Sequence, residues 1–308
     1  MTPGADASGE MEAYMPESKN GAETIEAVLG AGGIKLFCHI GFLRALVEKR
    51  VRVNMFTGAS AGSLAVAFHT NGYSPDEMLD IFLDEDFRKA AVQNPLTYLN
   101  PLNYLSGGVI DIEAFARGLF GKYKLKPQPN ARILGYNVLR MEPIVFEGSE
   151  YDMTKALGSS CAVPFVMKPV FYAGGPGEGS MSKMGILMDG GLKDINPHQY
   201  SKGRAIIANL GFADSAMPRE WLSPVDWYFH LMEVTWSRVL NWYFKLPEND
   251  HVVINVAPKN VAGLTFGLSE RTCRDLADYA YHVSLRALDD GIRKGLIPVN
   301  SRFPARKA

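Results

Sequence analysis

Gly58-Ala59-Ser60-Ala61-Gly62 has the G-x-S-x-G spacing of a nucleophile elbow, in which a serine on a tight strand-to-helix turn presents its hydroxyl. Flanking glycines let strand and helix approach where a Cβ would clash, and the amides and dipole of the following helix lie behind the serine. The same string also describes a glycine-rich turn capped by serine. An activated serine needs a base and an oxyanion hole. Gly30-Ala31-Gly32-Gly33 could supply the hole, because glycines at a helix N-terminus expose backbone N–H groups to developing negative charge. A phosphate loop is the competing use of such glycines, but no Gly-Lys-Ser/Thr ending follows, and Ala31 and Leu36 break a G-x-G-x-x-G. For the base, Asp189 stands where a short strand meets Gly190-Gly191. A partly desolvated carboxylate beside the hydroxyl can take its proton, although Asp-Gly-Gly also serves as a plain turn. A Ser-His-Asp triad is the other enzymatic option. Of the downstream histidines His198, His230, His251 and His282, His251 or His282 is its best base, yet none sits in a glycine-rich turn at a strand end.

These residues need elements to position them, and the pattern provides βα units. Apolar Ala27–Leu29 leads through the glycines into a helix over 35–49, and Val53–Thr57 leads through the Ser60 turn into a helix over 63–69. Two such units in so short a span predict a parallel sheet. Ser74-Pro75-Asp76-Glu77 is a capping box opening a helix to Asp84. A loop over 94–110 precedes a helix from Asp111 to Tyr123, adjacent strands over 131–139 and 144–147, and a helix over 154–159. Then come an extended stretch over 166–172, a Gly/Ser/Pro loop over 174–183, strands over 185–188, 205–210 and 251–256, and a last helix over 269–294. Residues 1–23, poor in large apolar side chains, read as a disordered leader, 24–297 as one domain, and 298–308 as a tail.

Composition narrows the classes. Net charge is −1, from 32 Lys+Arg against 33 Asp+Glu, which lacks the basic footprint of a nucleic-acid binder. Cys38, Cys161 and Cys273 form no C-x-x-C pair, so neither a disulfide framework nor a zinc site is expected. The leader lacks a signal-peptide h-region, and no run reaches 18 uninterrupted apolar residues, which predicts a cytoplasmic protein.

Taken together the motifs resemble the patatin-like phospholipase family: Gly32-Gly33-Ile34-Lys35 for the oxyanion turn, Gly58–Gly62 for the elbow, and Asp189-Gly190-Gly191 for the acid. Ser159-Ser160-Cys161-Ala162-Val163-Pro164 and Asn196-Pro197 fit as well, all in family order over roughly 25–210. The resemblance implies a three-layer α/β/α sandwich with a mostly parallel sheet, hydrolysing lipid acyl esters through a Ser60–Asp189 dyad without cofactor or metal. It also implies an oxyanion hole from the amides of Gly32, Gly33 and Ile34. Lys35 matches the family's basic position, either steering a phosphate headgroup or standing as a surface lysine. The chain departs from the family turn at Ala31 and Leu36. Leucine does not readily take φ > 0, so a different opening to the helix is expected, and a non-catalytic lipid-binding protein on the same fold is the alternative.

All four tryptophans, Trp221, Trp227, Trp236 and Trp242, fall in one segment. Ser223-Pro224-Val225-Asp226 caps a helix over 224–246 that is apolar around most of its circumference, with a narrow polar stripe. It either packs on the core or a second subunit, or, through Trp227 and Trp236, forms an acyl-chain wall, lid or peripheral membrane contact bordering the Ser60 cleft.

Overall fold

The computed structural model describes residues 13–14, 24–84, 108, 110–164, 166–173, 184–211, 251–258, 261 and 268–300. The strands are β1 (Ala13–Tyr14), β2 (Ile25–Leu29), β3 (Val53–Ala59), β4 (Ala131–Asn137), β5 (Glu142–Glu147), β6 (Val170–Tyr172), β7 (Gly185–Asp189), β8 (Ala205–Asn209) and β9 (Val252–Asn255). The α-helices are α1 (Leu36–Glu48), α2 (Ala61–Thr70), α3 (Pro75–Asp84), α4 (Ile112–Tyr123), α5 (Met153–Ser160) and α6 (Glu270–Arg293).

The nine strands form one mixed sheet in the order β1-β9-β8-β2-β3-β4-β7-β6, with β5 also on β4. Its centre, β9-β8-β2-β3-β4, is parallel, and antiparallel strands close both ends. This is the mostly parallel sheet flanked by helices that the βα pattern implies. Parallel strands at the centre read as nearly continuous apolar runs because both faces are covered. Ala27, Leu29, Ile206, Ala208, Val252 and Ile254 join the buried side chains of all six helices in one core, while Val28, Ala205, Ile207 and Val253 form a second cluster with Ile195 against it.

Local chemistry starts the helices where expected. Ser74 and Glu77 close the capping box of α3, and Asp111, Asp152 and Ser269 accept N–H bonds at the starts of α4, α5 and α6. The long α6 lies across α1 at Gly41, where a Cβ would come within 2.0 Å of the Ala277 carbonyl oxygen. Two further pairings form near the ends of the described chain. Within the leader, Ala13–Tyr14 pair antiparallel with β9. Beyond residue 297, Pro298 and Asn300 bond to Arg52 and Arg50, so the packed chain runs on through Asn300. The loop over 174–183, the aromatic helix over 224–246 and nearly all of 94–110 lie outside the described residues.

Candidate active site

The register of β4 brings two strand ends together. β5 occupies one edge of β4 over Arg132–Asn137, so β3 and β7 must share the other. β3 runs parallel to β4 and ends with Ala59 opposite Leu134; β7 runs antiparallel and ends with Asp189 opposite Gly135. Leu134 and Gly135 are consecutive, so the two strands meet head-on. Ser60 is the residue that follows Ala59, and it therefore turns out beside Asp189.

Ser60 sits at φ 50°, ψ −121°, a conformation L-residues rarely adopt, at a cost of about 1–3 kcal/mol. Its surroundings over-determine it. The Ser60 amide donates to Ser160 Oγ at 3.0 Å, and its carbonyl oxygen accepts from Ser63 Oγ at 2.6 Å and Cys161 Sγ at 3.5 Å. The elbow glycines are sterically required, since a Cβ on Gly62 would lie 1.9 Å from the Leu29 carbonyl oxygen. Close approach of α2 to β2 is what presses the turn into its strained form.

Asp189 is 6% exposed, and burial pushes its carboxyl up to about 7 against the favourable contacts with Ser60 and the Gly191 amide. Oδ1 accepts from Gly191 N at 2.8 Å, and the Asp189 amide donates to the Ala162 carbonyl. Oδ2 has no partner at hydrogen-bonding geometry, although the Ser60 hydroxyl is near enough to favour the charged carboxylate. The pair is in contact but not aligned, as resting sites often are before substrate tightens them. Ser160, Cys161 and Ala162, at the C-terminal end of α5, thus bond to both Ser60 and Asp189. Asp194 is also pushed up to about 7 by burial, but its Oδ1 accepts the Asn196 amide within its own loop. A raised carboxyl alone would select both acids; strand register selects Asp189.

The glycine turn follows β2. Gly33 takes the positive φ of 55°, and Leu36 is helical at φ −44°, so the leucine at the family's glycine position is unstrained. The turn is braced on both sides: Ala31 N donates to Ile195 O at 2.8 Å, and His39 Nε2 donates to Gly30 O at 2.7 Å. Burial pulls the His39 imidazole down to about 4, which keeps it neutral. The amides of Gly32, Gly33 and Ile34 have no backbone acceptor among the described residues. Lys35 is not the surface lysine of one expectation. At 2% exposure it donates to the carbonyls of Leu210 and Gly211, which places its ammonium under the end of β8 rather than toward a headgroup in solvent.

No described histidine bonds to Ser60 or Asp189. His251 precedes β9 and accepts from Ala205 N at the start of β8, the opposite end of the parallel strands from Ser60. His198 bonds to Asn196 O, and His282 is exposed on α6. His230, Trp227 and Trp236 lie outside the described residues. Sequence reasoning missed His39, whose only signal is a polar side chain in an apolar helix, and the role of Ser160, whose partner is 100 residues away.

The sequence profile of the patatin-like phospholipases matches residues 27–200, the span from the glycine turn through the elbow and the acid loop. The chain belongs to the patatin-like phospholipase family. Membership supports lipid hydrolysis as its activity. Among solved structures it is similar to VipD from Legionella pneumophila, at 14% identity and TM-score 0.45, over 91% of this chain and 70% of that one. It is also similar to a chain of the ExoU–SpcU complex from the type III secretion system of Pseudomonas aeruginosa, at 15% identity and TM-score 0.39. That match covers 91% of this chain and 53% of the other, so the chain spans about half its length. No curated protein sequence matches the chain. Among the described residues, no helix is long and apolar enough to cross a membrane.

Proposed function

We propose that this chain is a serine acyl hydrolase of phospholipase A type, cleaving lipid acyl esters through a Ser60–Asp189 dyad and an acyl-enzyme. The observation that carries the reading is the head-on meeting of β3 and β7 on one edge of β4, with the strained Ser60 beside a buried carboxyl. Asp189 takes the proton of the Ser60 hydroxyl as Oγ attacks the ester carbonyl. The oxyanion of the tetrahedral intermediate is held by the amides of Gly32 and Gly33, with Ile34 beside them. Asp189 returns the proton to the departing alcohol, leaving an ester on Ser60. Water then attacks that ester, Asp189 accepting its proton, and the fatty acid leaves as Ser60 is reprotonated. No cofactor enters these steps.

Ser60→Ala and Asp189→Asn should each lower kcat on a medium-chain ester by roughly 10³-fold or more while circular dichroism stays unchanged. A fluorophosphonate probe should label Ser60 in the native chain and in neither variant. Full activity in either variant overturns the dyad. Lipid binding without labelling of the native chain assigns it instead to a non-catalytic lipid binder, and loss of activity in His251→Ala or His282→Ala restores the triad.

A further inference from the structure

Four of the six large apolar side chains exposed among the described residues crowd one corner: Leu139 (66%), Met141 (78%), Phe171 (68%) and Met184 (53%). The register explains why. Val138, at the start of the β4–β5 hairpin tip, donates to Ile186 O on β7, and Ile186 in turn faces Phe171 on β6. Met184 immediately precedes β7. The corner also stands on the side where the candidate site lies. β4 is parallel to β3, whose end carries Ser60, and runs on past Leu134 to the tip, roughly 10–15 Å further at about 3.3 Å per residue.

The tip is anchored by hydrogen bonds. Asn137 is 3% exposed, and its Oδ1 accepts from Leu139 N at 3.2 Å, while the Val138 bond ties the turn to β7. Packing among the described residues therefore does not account for these apolar side chains. Arg140 stands at the tip, paired with Glu142 at 3.8 Å, and the exposed Lys168 lies three residues before Phe171.

We propose that this corner docks on a lipid surface, with Leu139, Met141, Phe171 and Met184 entering the acyl-chain boundary and Arg140 and Lys168 at headgroup level. The proposal rests on the acyl-hydrolase reading for its substrate, since a lipid ester in an aggregate is reached only by meeting that surface on the side of the site. β7 joins the two directly, running from the corner to Asp189. A four-residue patch of this kind spans a few hundred Å², the size of a functional surface patch. That falls short of the roughly 800 Å² per partner of a stable protein interface.

The test uses the full chain and equimolar phosphatidylcholine/phosphatidylglycerol vesicles, with binding read by co-sedimentation. The native chain and Ser60→Ala should both bind. Leu139→Ser/Met141→Ser/Phe171→Ser/Met184→Ser should weaken binding by at least about tenfold. Its hydrolysis of vesicle phospholipid should fall in step while hydrolysis of the monomeric ester p-nitrophenyl butyrate stays unchanged. Val47→Ser/Tyr279→Ser, which removes the other two exposed apolar side chains, should behave as native. Should the fourfold variant misfold, the two double variants, at 139/141 and 171/184, must each weaken vesicle binding. Native-like binding by the corner variants, or no binding by the native chain, overturns the proposal. So does a native dimer that the variants dissolve, which would assign the corner to a second copy. A native chain that binds vesicles but hydrolyses neither ester would refute the catalytic reading and leave the docking surface standing.

Discussion

Asp189 is subject to two opposed demands, because the burial that raises its proton affinity also makes its charged form costly to hold. With the carboxyl pushed up to about 7, the fraction available as base falls as pH drops through that value. We expect kcat/KM on a soluble ester to lose activity below about pH 7, well above the ordinary carboxylate range near 4. A profile flat down to pH 5 would show that another group is the base. Stability runs the other way. A folded-state pKa above the unfolded one favours the native state at low pH, and the advantage is lost as pH rises through about 7. Asp189→Asn keeps an acceptor for Gly191 N and removes the buried charge. It should therefore raise stability at pH 8.5 by on the order of 2–4 kcal/mol, with the difference vanishing below about pH 4, measured by urea unfolding.

The strained elbow is a property of α2 and β2 together. Its positive φ survives because α2 enters so close to the end of β2 that only glycine fits at 62. Gly62→Ala would drive a methyl into the Leu29 carbonyl, forcing α2 off the sheet. It should lower stability by several kcal/mol and abolish fluorophosphonate labelling, a loss of the large kind expected from core overpacking. A Cβ added at Gly118, in α4, would meet nothing within 4 Å, so Gly118→Ala should instead stabilise by about 0.5–1 kcal/mol. Thermal melts of the pair separate steric need from mere glycine content.

Across the whole sheet, one buried cluster ties four strands. Arg132 on β4, 2% exposed, donates to Glu147 on β5, Glu26 on β2, Thr57 on β3 and the Tyr200 carbonyl. Such a cluster adds less than its contact list suggests, because its charges are desolvated, but breaking it strands a carboxylate in the interior. Arg132→Leu should destabilise by roughly 3–5 kcal/mol, and adding Glu26→Leu should recover part of that loss. Equal stability of the single and double variants by urea unfolding would show that Glu26 is not left unpaired.

Element order and chemistry were legible in the chain itself. Periodicity, capping boxes and glycine turns mark every described α-helix and nearly every strand to within a few residues, because local propensity and the tertiary fold agree there. Ser60 and Asp189 could also be picked out, each standing beside glycines where a strand ends. Their adjacency was implied only by the family resemblance, since it depends on β3 and β7 sharing one edge of β4 from opposite directions, a pairing with no local signal. The Ser160 bond to Ser60, the place of His39 behind the glycine turn, and that of Lys35, whose burial under β8 no sequence pattern announces, could not be picked out. Residue type and spacing determined which groups could react; only strand register, which couples residues more than a hundred positions apart, decided which of them meet.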